Sequence, residues 1–130
     1  MDRNTNFFID LLRLLPEEAQ VVISCYDDEV LAKLRPLEDK SGAISLKKRR
    51  ELIKLLVCEG FLVDFVHIEI SQGGKKYLNA YDRMMMCWLH KPIELPARFI
   101  NKYKLTESDG GWEYESAGFD GLEQFVLLLE

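Results

Sequence analysis

The side chains best suited to chemistry are two histidines, His67 and His90, and three cysteines, Cys25, Cys58 and Cys87. A thiol beside an imidazole makes a nucleophile with its base, so His67 with Cys58 or Cys87 is a candidate dyad. No third residue that would orient the imidazole can be identified, and the chain is read as non-enzymatic, its histidines and thiols being ordinary strand and helix residues. Zinc sites draw on closely spaced ligand pairs, and none of these five residues is so paired. Gly73-Gly74 lacks the following helix start that would cradle a phosphate. No cofactor and no resident metal are implied.

Carboxylates are the more abundant resource, and they are unevenly placed. Every lysine and arginine lies at or before Lys104, whereas the stretch from Leu105 onward carries seven acids and no base. That leaves 15 acids against 17 bases in the first 104 residues, so the net charge of -5 is a property of the C-terminal stretch. Such a surface repels nucleic acid and attracts basic partners or cations over a range set by salt. Within it, Trp112 and Tyr114 alternate with Glu113 and Glu115, downstream of Glu107 and Asp109. These six residues are the candidate contact: an aromatic anchor with a charged rim for a basic protein. A calcium site is the alternative use of the same acids, although the glycine and terminal glutamate of an EF-hand loop are not in position.

Two other stretches bear on binding. Lys47, Lys48, Arg49 and Arg50 open a helix, where the dipole disfavours cations, so local stability does not account for them. Contact with phosphates is one reading, which makes a nucleic-acid module an alternative function, while the overall acidity argues against it. Met84, Met85, Met86 and Trp88 are adaptable core filler and sheet surface, or an adhesive patch for a partner.

The elements that must position these residues follow from apolar spacing. Phe7, Phe8, Leu11, Leu12 and Leu15 mark a first helix, with Asn4 or Thr5 as cap and Pro16 as stop. Gln20 to Tyr26 is a β-branched strand, with a helix over Glu17 to Leu34 as the rival reading. Asp27, Asp28 and Glu29 begin a helix whose basic end, Lys33 and Arg35, precedes Pro36. Pro36 to Ile44 is a loop. Ser45 caps the next helix, and Gly60 ends it. Phe61 to Ile70, Lys76 to Tyr81 and Met84 to His90 form a three-strand meander turning at Gly73-Gly74 and Asp82-Arg83. Tyr77, Tyr81, Met84 and Trp88 also fit one helical face, so a helix ending before Pro92 is the rival for the last two strands. Pro96 opens a helix ending near Lys104. Thr106 to Gly111 is a flexible acidic loop, Trp112 to Glu115 an edge strand, and Asp120 with Glu123 caps a last helix packed through Leu122, Phe125, Val126 and Leu129.

Composition frames the whole. With 130 residues, 48% apolar and 30% charged, the chain is expected to form a single α+β domain over 1–130. It would hold a mostly antiparallel sheet of four or five strands, with the meander around 61–90, covered by about four helices. An odd number of scattered cysteines favours a reducing compartment. No leader or membrane span is read at the start, so a cytoplasmic location is expected. The preferred function is binding of another protein with a basic surface. By analogy of type, a compact acidic domain suits an inhibitor or immunity protein that neutralises a basic toxin or nuclease.

Overall fold

The first helix, α1 (Arg3–Leu14), is held at both ends by side chains from elsewhere in its surroundings. At its start the Asp2 carboxylate accepts from the Thr5 backbone N–H and the Thr5 hydroxyl, each at 2.8 Å. The cap is therefore Asp2 rather than Asn4 or Thr5, which turn inward and are buried. At its end, the orphan carbonyls of Leu12 and Leu15 accept from the Arg49 guanidinium at 3.0 and 2.5 Å. This gives one of the four clustered bases a structural role that its own helix does not supply. Arg49→Met keeps the aliphatic stem and removes these bonds, and an unfolding titration is expected to register a loss of about 1–3 kcal/mol. Arg50→Met, at the exposed neighbouring position, is the control and should stay within about 0.5 kcal/mol.

The structure, a computed structural model, describes residues 2–91 and 93–116. The helix expected after Asp120 lies outside them. Among the described residues are four α-helices and a seven-stranded, wholly antiparallel sheet in the order β2-β1-β3-β4-β5-β7-β6. The strands are β1 (Gln20–Cys25), β2 (Ile44–Ser45), β3 (Phe65–Gln72), β4 (Lys75–Tyr81), β5 (Met86–His90), β6 (Thr106–Ser108) and β7 (Gly111–Tyr114). The remaining helices are α2 (Asp28–Leu34), α3 (Arg49–Glu59) and α4 (Ala97–Tyr103). No helix among the described residues is long and apolar enough to cross a membrane.

Local signals account for much of this. Asp27 accepts from the N–H groups of Glu29 and Val30 and starts α2. Ser45 caps a short 3₁₀ turn that leads into α3, and Gly60 ends α3 in the left-handed conformation at φ +64°. The meander β3-β4-β5 forms, with Gly73 alone taking a positive φ at the first turn, but its third strand begins at Met86 and not Met84, because the turn after Tyr81 runs on through Met85.

Three further expectations are corrected. Phe61–Asp64 is a 3₁₀ turn, and the strand begins only at Phe65. Three adjacent apolar residues, Phe61 to Val63, carry no periodicity to distinguish the two. Thr106 to Gly111 is not a flexible loop but contributes β6 and a turn at Asp109-Gly110, both with positive φ. The Asp-Gly pair is the signal for that two-residue hairpin. Finally, β7 is not an edge strand: it lies between β5 and β6. With β6, and with β2 pairing Ile44–Ser45 against β1 where a loop end and a helix cap were expected, the sheet of the described residues has seven strands rather than four or five.

Alternation assigns the two faces. Val21, Ile70, Leu78, Leu89 and Trp112 are successive cross-strand neighbours, as are Ile23, Ile68, Ala80, Cys87 and Tyr114. Both rows face the helices and join one buried cluster with Phe7, Phe8, Leu11, Leu52, Leu56 and Phe99. Phe7 stacks on Tyr114 at 3.8 Å between ring centroids, which fixes α1 over this face. The opposite row, Val22, Glu69, Asn79, Trp88, Glu113 and Thr106, faces outward, and among the described residues no helix covers it.

Candidate protein-binding surface

The open face acquires its chemistry from the β4–β5 connection. Asp82, Arg83 and Met84 take φ values of +53°, +58° and +71° in succession. Each costs a non-glycine residue about 1–2 kcal/mol in isolation, so the turn needs an anchor. Met84 supplies it, being 1% exposed in the core. The Arg83 N–H also donates to the Val66 carbonyl. With Met84 driven inward, Met85 and Met86 are left 59% and 64% exposed, and Tyr81 is exposed beside them. The methionine run is thus divided: Met84 is core filler, while Met85 and Met86 are surface.

A shallow groove of about 420 Å³ lies along this end of the face, lined among others by Tyr81, Met85, Met86, Trp88, Glu113 and Glu115. Trp88 pairs across the ladder with Asn79 on one side and Glu113 on the other. The His90 ring nitrogen Nε2 lies 2.7 Å from Asn79 Oδ1, and the Asn79 amide donates to the Tyr81 hydroxyl at 3.3 Å. An amide oxygen only accepts, so Nε2 carries the proton. Burial, then the Lys76 charge, lower the His90 pKa against the opposing pull of Glu69. A neutral imidazole at pH 7 follows, so His90 itself adds no positive charge to the face.

The six predicted contact residues do not form one surface. Glu113 is on the open face, paired with Trp88 and Thr106. Glu115 follows β7 at the groove's end, its backbone carbonyl accepting from Arg3 at 2.7 Å. Glu107 pairs with Trp112 and so belongs to the helix-side face at the sheet's edge, while Asp109 is in the hairpin turn. Trp112 is partly buried against the core.

Tyr114 is only 3% exposed, and its hydroxyl donates to Asn4 Oδ1 at 2.6 Å. It is a core residue and not half of an exposed aromatic anchor. The reason is alternation itself: Trp112 and Tyr114 do share a face, but it is the one covered by α1. Burial, with Arg3 opposing, pushes the Tyr114 phenol above its ordinary range. At this end of the sheet the exposed large side chains are instead Met85, Met86 and Tyr81, which flank Trp88. Their signal in the sequence was the methionine run, whose division between core and surface depends on the left-handed turn.

The other candidates separate as well. His67 faces outward on β3 opposite Tyr81, whereas Cys87 faces the core on β5, where burial pushes its thiol pKa up. Cys58 is exposed near the end of α3, on the helical side. The structure does not assemble the thiol–imidazole dyad. Among the described residues no three histidine, cysteine or carboxylate groups gather to hold a metal, so the calcium alternative finds no ligand set there. Comparison with protein-family models, curated proteins and solved structures yields no match, and function is argued from these residues alone.

Proposed function

We propose that this domain binds another protein, non-enzymatically, through the open sheet face at its β5–β7 end. The observation that carries the reading is the exposure of Met85 and Met86 beside Trp88, on a sheet face that no described helix covers, with Glu113 and Glu115 alongside. Adaptable thioethers and a half-buried indole offer desolvation energy, and the carboxylates select for a partner with basic groups around an apolar contact. An inhibitor or immunity-type role, blocking the basic working surface of a toxin or nuclease, is the form of this function that the charge favours. The three free thiols fit a reducing compartment, and we place the domain in the cytoplasm.

The test compares two charge-altered proteins in affinity capture from the native host, with nuclease treatment throughout. Met86→Lys combined with Glu113→Lys should weaken capture of a stoichiometric basic protein by roughly tenfold or more. Glu107→Lys combined with Asp109→Lys should leave it within about threefold, because rim charges of exposed hairpins contribute little. The reverse ranking would move the contact to the hairpin tip, and loss of the captured material on nuclease treatment would favour nucleic acid.

A further inference from the structure

The helical side of the molecule carries a second groove of opposite character. It lies between the end of α1 and the outer face of α3, with a volume of about 490 Å³, and is lined by Arg13, Arg49, Arg50, Ile53, Lys54, Val57 and Cys58. Among the described residues no carboxylate lines it. Ile53 and Val57 are one helical turn apart and form an apolar floor, Val57 being 55% exposed. Arg50 and Lys54 make a parallel basic row on the same helix, and Arg13, whose guanidinium lies 3.7 Å from the Asp10 carboxylate, faces them from α1. Arg49 is committed to the α1 carbonyls. That accounts for one of the bases that the α3 dipole disfavours and leaves Arg50 without a structural reason among the described residues.

We propose that this groove docks an acidic amphipathic helix of a partner protein, its apolar stripe on Ile53 and Val57 and its carboxylates on Arg13, Arg50 and Lys54. Charge complementarity selects the sign of the ligand, and the apolar floor selects its kind. A duplex would bring a uniform phosphate surface with nothing to cover Val57, and only a few cations here would meet it, on a chain of net charge -5. A helix with apolar residues at i and i+4, flanked by glutamate, satisfies both rows at once. Arginine adds two-pronged carboxylate contacts. The site stands independently of the sheet-face reading, since it shares no residue with it.

Cys58 reports on the groove directly, because it is exposed there while Cys25 and Cys87 are buried. The probe is a synthetic amphipathic peptide of about 18 residues, long enough to be helical when docked, with leucine on one face and glutamate on the other. On the full chain it should slow maleimide modification of Cys58 severalfold, and the protection should fade as salt is raised. Arg50→Glu with Lys54→Glu should weaken the peptide by roughly tenfold or more. The thermal midpoint should hold or rise, since Arg50→Glu places an acid in the first turn of α3. Val57→Ser, which keeps the charges, should weaken it as well.

Equal protection by the lysine-for-glutamate counterpart of the peptide would overturn the proposal. So would tighter binding of a DNA duplex or of phosphatidylserine vesicles. Protection present before peptide is added would also overturn it: relief on dilution would assign the groove to a second copy, and relief on Asp120→Lys with Glu123→Lys to the chain's own acidic segment.

Discussion

Phe7→Ala is expected to lower the stability of the domain by about 3–5 kcal/mol, the range for truncating a fully buried aromatic. Phe7 is 0% exposed. Its ring stacks on Tyr114, meets Tyr103 edge-on at 5.2 Å and lies 5.6 Å from Phe99. One side chain of α1 thus holds β7 and α4 together. The cavity left by its removal is walled by rings that are themselves tethered. Tyr114 is bonded to Asn4, and the Tyr103 hydroxyl donates to Asp10 at 2.5 Å. Tethered walls collapse poorly, which places the cost high in the range.

A domain of this size has a total stability of only about 5–15 kcal/mol. The urea midpoint of Phe7→Ala should therefore fall steeply, or the cooperative transition should be lost. Tyr114→Phe is the graded companion. It keeps the stack and removes one buried hydrogen bond, for about 1–3 kcal/mol. A Phe7→Ala loss no larger than that of Tyr114→Phe would mean that the ring cluster does not organise this core.

Gly111→Ala should be the most damaging single methyl addition in the sheet. Gly111 needs no positive φ, so what it requires is space. A Cβ there would lie 2.4 Å from the Leu89 carbonyl oxygen and 2.7 Å from the Trp88 ring. The Trp88 ring can swing aside, but the carbonyl belongs to the backbone of β5, paired with β7 at this point. We expect a loss of about 1–3 kcal/mol or more from overpacking.

The defect should be local at first, because among the described strands the β6–β7 hairpin joins the rest of the sheet only through β5. Amide exchange should quicken across 86–90 and 111–114 before it does in β1 and β3. The same clash displaces Trp88 and Glu113 from the open face, so partner capture should weaken even at temperatures where the protein remains folded. A Gly111→Ala protein within about 0.5 kcal/mol of the parent would show that β5 and β7 do not approach as closely as this geometry requires.

What the sequence determined alone are the features set by interactions within a few residues. Asp27 starts a helix because its carboxylate reaches N–H groups two and three positions on. Gly60 ends one because it adopts the left-handed conformation at little cost. Gly73-Gly74 closes a hairpin for a related reason, and the α+β class with its central meander follows from such punctuation and from alternation along β3 to β5. The C-terminal charge asymmetry is likewise complete in the sequence.

Other features belong to the tertiary structure because they depend on partners remote in the chain. Phe7 and Tyr114 meet across more than a hundred residues, and only that meeting decides that Tyr114 is core rather than contact. Alternation puts Glu107 and Glu113 on opposite faces of the sheet once β6 pairs with β7, so acids that look like one cluster in the sequence become two. Arg49 looks like one of four equivalent bases until the carbonyls at the end of α1 claim it. Phe61 to Asp64 reads like strand because three adjacent apolar residues carry no period that separates a turn from an extended run. The exposed methionines became a candidate surface only when a left-handed turn, anchored by Met84, directed them outward from a sheet face that no described helix covers.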